Sequence, residues 1–117
     1  MPAHRYLAIY LGSVEAREKA ERAGTITEAT IQAGMAAWGA WVAKYQHAIV
    51  DVGSPLGKTK RASADGIADI TNMSTAYVIV EADSHEAAAE MFRDHPHFTI
   101  FPGDAVEVMQ CLPMPGA

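Results

Sequence analysis

An α+β domain, with an antiparallel sheet carrying helices on one face, is the fold class this sequence predicts, on three observations. Short segments rich in apolar and β-branched residues alternate with stretches of helical spacing, in the order strand, helices, strand, strand, helix, strand. The chain has 117 residues, half of them apolar, which suits one core of modest size in a single domain spanning 1–117. The central run Met35–Gly57 turns a helical period into a strand period and then into a Gly/Pro turn.

The elements follow in order. Tyr6 to Leu11 is almost wholly apolar and stops at Gly12, as a central strand does. Ser13 caps a short helix running to about Arg22, laced by charges four apart: Glu15 with Lys19, Arg17 with Glu21, Glu18 with Arg22. Gly24 breaks it. Thr25-Ile26-Thr27-Glu28 has the form of a capping box and opens a long helix. Along that helix Ile31, Met35, Trp38, Val42 and Tyr45 fall on one stripe, which predicts a core face, with Trp41 at its half-buried rim.

From Ala48 to Val52 the period is two, so Ala48, Val50 and Val52 should face one way and Ile49 and Asp51 the other. A carboxylate late in an apolar strand must be exposed, paired or used. Gly53-Ser54-Pro55-Leu56-Gly57 reverses the chain, and Lys58 to Ser74 reads as a short edge hairpin or a loop around Asp65-Gly66. Ala76 to Ala82 is a well-buried strand. Asp83 or Ser84 caps a helix over His85–Asp94, with Ala88, Met91 and Phe92 inward, which Pro96 terminates. Ala105 to Leu112 alternates as the last strand, with Cys111 expected as an inert buried thiol, and Pro113 to Ala117 is a tail.

This succession is the split βαβ, or ferredoxin-like, pattern. The first and third strands are apolar on both faces, yet the helices can cover only one. A second copy of the chain is the simplest cover, giving a homodimer whose sheets pack as an α/β barrel around a small-molecule pocket. A net charge of −5 and the lack of a basic face argue against a nucleic-acid partner. The apolar run at the start is too short for a membrane span and lacks a signal-peptide pattern. A lone cysteine excludes an intrachain disulfide, and the expected compartment is cytoplasmic. Gly-rich phosphate motifs are missing, so no nucleotide cofactor is expected.

The helix-strand-turn MAAWGAWVAKYQHAIVDVGSPLG, the strand-helix YVIVEADSHEAAAEMF, the HPHF after it and the closing VEVMQCLPM resemble the YCII-related (DGPF-type) family. Trp38, Trp41, Asp51, Gly53, Pro55, Gly57 and the Pro96-His97 step are similar to its Trp-containing branch. The resemblance implies a ferredoxin-like fold, a homodimeric α/β barrel and a build shared with cofactor-free enzymes of aromatic or polyketide-like compounds. It also implies an acid/base pair of a helix His and the Asp of a D-P step. Here the helix position falls near Met35 or Ala36, and the D-P step has become His95-Pro96.

His95-Pro96-His97 is the cluster richest in chemistry, since two imidazoles flank a rigid residue just past a helix. Three readings stand side by side. The histidines cap carbonyls or lie in solvent at a helix stop. Alternatively His97 or His95 pairs with Asp51 as an oriented acid/base. In the third, His95, His97, Asp51 and His47 hold a metal. Asp51 alone can also cap its own turn through Gly53 or Ser54. The favoured function is proton transfer with elimination or isomerisation on an apolar or aromatic molecule, bound among Trp38, Trp41, Tyr77 and Ser54, with His97 and Asp51 as the pair. The other class is a ligand-binding or accessory module without catalysis.

Overall fold

A computed structural model describes residues 4–116. The elements are β1 (His4–Leu11), α1 (Val14–Ala23), α2 (Glu28–Tyr45), β2 (Ile49–Asp51), β3 (Thr59–Ser63), β4 (Gly66–Ile70), β5 (Ser74–Ala82), α3 (His85–Glu90), α4 (Pro96–Thr99) and β6 (Ala105–Gln110). β2, β5, β1 and β6 form a four-stranded sheet in that order, and every pairing is antiparallel. The central strands are therefore the two most apolar ones, β1 and β5. This is an α+β fold with an antiparallel sheet, in the strand order of the split βαβ pattern.

Alternation along the strands sorts the faces. Tyr6, Ala8 and Tyr10 of β1 and Val78 and Val80 of β5 stand on the helix side, where they build the core with Trp41, Ala88, Met91 and Phe92. Leu7, Ile9, Tyr77 and Ile79 pair across the other face, and none of them is buried. No closed barrel forms among the described residues.

Several expectations are corrected. The hairpin β3–β4 forms a separate two-stranded sheet rather than an edge of the main one. In β2 a register shift between Ile49 and Asp51 sets Ile49 against Val80 and Asp51 against Ile79, so the two residues lie on opposite faces rather than sharing one. α2 buries Trp41, whose indole Nε1–H donates to the Met91 carbonyl at 2.7 Å, while Ile31 is exposed and Met35 is 64% exposed. The deepest contact is thus the residue expected at the rim, because α2 turns the face that carries Gly34 and Trp41, seven residues apart, towards the rest of the chain rather than the edge that carries Ile31 and Met35. The helix from His85 ends at Glu90, Asp94 takes a left-handed φ of 57°, and Pro96 begins α4 rather than ending a helix. Cys111, beyond the end of β6, is exposed. No helix among the described residues is long and apolar enough to cross a membrane.

Candidate functional site

A cavity of about 570 Å³ opens between α2, the turn after β2, the start of β5 and α4. Trp38, Trp41, Tyr77, Ser54 and His97 all line it, although they come from four separate segments. Three local features put the wall there. Trp38 and Trp41 sit on adjoining turns of α2. Gly53, at φ 71°, lies against the Tyr77 carbonyl where a Cβ has no room, so the turn can close on β5. Pro55 then pairs with Ala76 in an isolated bridge.

His97 is placed by a knot of backbone bonds. Pro96 occupies the first turn of α4, and His95 is its N-cap, with Nδ1 accepting the His97 backbone N–H at 3.0 Å. The His97 side chain turns back to β1, where Nε2–H donates to the Leu11 carbonyl at 2.7 Å. The same carbonyl accepts the Asp104 N–H, and the His97 carbonyl accepts the Gly103 N–H, each at 2.9 Å. Gly103 is pressed against the His97 ring, so any side chain there would displace it. Asp104 in turn accepts from the N–H and hydroxyl of Ser13, tying the loop before β6 to the end of β1.

His95 is the more deeply buried of the two, at 1% exposure. Its ring lies edge-on to Trp38 and Trp41, with centroids 4.6 and 4.9 Å away, and its Nε2 is 3.3 Å from the Tyr10 hydroxyl. Burial among these rings, with His97 nearby adding to it, holds the His95 imidazole down to about 4. Burial likewise pushes the Tyr10 phenol well above its ordinary range. Both groups are neutral at physiological pH, which is what an apolar pocket requires of them.

The readings in which these histidines lie in solvent or cap a helix C-terminus are overturned by that burial and by the N-cap bond. Asp51 is not brought to His97. It is exposed, its carboxylate accepts the Gly53 N–H at 2.8 Å, and its register puts it on the face opposite Tyr10. No Asp51–His97 ion pair forms among the described residues. His47 is exposed at the end of α2, and no three of the described His, Cys, Asp or Glu residues come together as metal ligands. His95, His97, Asp51 and His47 are therefore not brought together as one ligand set.

Tyr10 and Phe101 line the cavity without having been singled out from the sequence as site residues, and Met35, expected in the core stripe, lines it too. A signal for Tyr10 was present, since its hydroxyl falls in register with Tyr6 and Ala8 on the core face of an otherwise apolar strand. Phe101 had none. It reaches α2 only because Gly34 leaves room for its ring.

No family model matches the chain, and no curated protein matches it. Among solved structures, 5-chloro-2-hydroxyhydroquinone dehydrochlorinase (TftG) from Burkholderia phenoliruptrix AC1100, in complex with 2,5-dihydroxybenzoquinone, is similar over 92% of this chain and 93% of its own, with a TM-score of 0.55 and 16% sequence identity. The two chains share a fold. TftG thus supports the course of the backbone, and at that identity it carries no residue role across.

Proposed function

We propose that this chain belongs to the YCII-related (DGPF-type) family, Trp-containing branch, and acts as a cytoplasmic homodimer performing cofactor-free acid/base chemistry on an apolar or aromatic small molecule. The observation that carries the proposal is an aromatic-walled cavity with one imidazole at its edge whose orientation is locked. Because Nε2–H of His97 is spent on the Leu11 carbonyl, the neutral ring keeps its lone pair on Nδ1. A base of that kind takes a proton from a hydroxyl or an enolisable carbon. The electron pair left behind shifts a double bond or expels a leaving group as its anion, and the proton passes to solvent or back to the product. The Leu11 carbonyl does the orienting that Asp51 was expected to do. Trp38 and Trp41 keep water away and present ring faces to a flat ligand, Tyr77 closes the wall where the turn after β2 meets β5, and Ser54 offers a hydroxyl at the mouth.

TftG lends this support by analogy, since its name gives a chlorinated hydroxyhydroquinone as substrate and its structure holds a quinone. A chlorinated hydroxyhydroquinone is therefore the first turnover probe, followed by chloride release, and 2,5-dihydroxybenzoquinone the first binding probe, followed by calorimetry. His97→Ala is expected to hold affinity within about tenfold and to lose turnover by at least about a hundredfold, as removal of a general base does. Binding without turnover in the unaltered protein, across this and other enolisable probes, would instead make it a ligand-binding module.

A further inference from the structure

The buried bonds around His95 have a direction that can be read from one end. The His97 backbone N–H can only donate, so His95 Nδ1 must be its acceptor and carries a lone pair. A neutral imidazole with a lone pair on Nδ1 bears its proton on Nε2. That proton points at the Tyr10 hydroxyl oxygen, 3.3 Å away, and the oxygen must accept it. Tyr10 therefore does not donate to His95. Its own hydroxyl hydrogen is free to rotate to another acceptor, and no protein side chain or backbone acceptor takes it among the described residues. Tyr10 is a wall of the cavity. Its ring centroid lies 5.2 Å from that of His97, so a donor and a base stand side by side.

We propose that Tyr10 is the donor of this site, giving its hydroxyl hydrogen to a ligand oxygen while His97 Nδ1 accepts from a ligand hydroxyl or acidic C–H. The ligand class is then a flat apolar ring system bearing a carbonyl or oxyanion near a proton the base can remove, such as a hydroxyquinone or an aryl ketone. His95 is a positioning residue, because it fixes the direction of the Tyr10 hydroxyl without touching the ligand. The upward shift of the Tyr10 pKa on burial is consistent with this, since the phenol stays a donor across the working pH range. The inference rests on the cavity being a small-molecule site, as proposed above.

The test uses the full chain with two probes, 1-tetralone, which carries the carbonyl, and tetralin, which lacks it. Tyr10→Phe keeps the ring and removes the donor. It is expected to weaken 1-tetralone about five- to tenfold, as one neutral hydrogen bond does, and to leave tetralin within about twofold. The carbonyl stretch of bound 1-tetralone should lie lower in the unaltered protein than in the variant, a signature that a purely structural tyrosine does not give. Equal weakening of both probes, or no weakening of either, overturns Tyr10 as the donor and leaves the cavity reading intact. Failure of both probes to bind the unaltered protein at millimolar concentration overturns both. If the variant does not fold, the nitrogen chemical shifts of His95 decide the matter: a proton on Nδ1 instead of Nε2 overturns the inference.

Discussion

Two imidazoles one residue apart are given different work by the bonds at their ring nitrogens. His97 leaves one nitrogen open beside the cavity, whereas both nitrogens of His95 are engaged within the protein. The second has a consequence for stability. His95 titrates near 6.5 in an unfolded chain and is held down to about 4 in the native one. Between those values the unfolded chain binds a proton that the native chain refuses, so stability falls as pH drops from 6.5 towards 4 and levels off below it. The loss expected from this group is on the order of 3 kcal/mol, read from urea unfolding at stepped pH. His95→Gln should be less stable at pH 7 yet lose most of that slope. An unchanged slope in the variant would assign the acid sensitivity to other groups.

Among the elements, the sheet and the hairpin differ most in how they are supported. β1 and β5 are paired along most of their length, lie at the centre of the sheet and carry Ala8 and Val80 with no exposure at all. The β3–β4 hairpin is held by its own five-residue register and the Lys60–Asp69 pair at 2.6 Å, with Ile67 78% exposed. A two-stranded ribbon without a buried face is marginal in water, and an exposed ion pair adds about 0 to 1 kcal/mol. Amide exchange should therefore be fast across Thr59–Ile70 and slowest in β1 and β5, by several orders of magnitude. Protection of the hairpin to the level of the central strands would mean that something beyond this chain holds it.

For the molecule as a whole, association turns on the sheet face away from the helices. Leu7, Ile9, Tyr77 and Ile79 meet there in pairs across β1 and β5, with Met109 of β6 beside Leu7. A second copy laid on that face would remove this apolar area from water, and the native mass in solution is expected to be twice that of the chain. Ile79→Glu puts a charge at the centre of the patch without touching the helix-side core, and should return the mass to that of one chain. A monomer in the unaltered protein would leave the proposed homodimer without support.

The sequence alone determined the order of the four main strands and the helices between them, the apolar character of β1 and β5, the cap at Ser13 and the presence of a glycine turn after β2. Each of these depends on residues within a few positions of one another, through helical or strand period, a capping side chain or a permitted φ. Only the tertiary structure decided that Pro96 starts a helix, that a bulge sends Asp51 away from Ile49's face, that Trp41 goes deeper than Trp38, and that the Leu11 carbonyl orients His97. Those outcomes depend on partners distant in sequence, such as Leu11 with His97 and Trp41 with Met91, and no local pattern encodes which of several acceptors a side chain will meet.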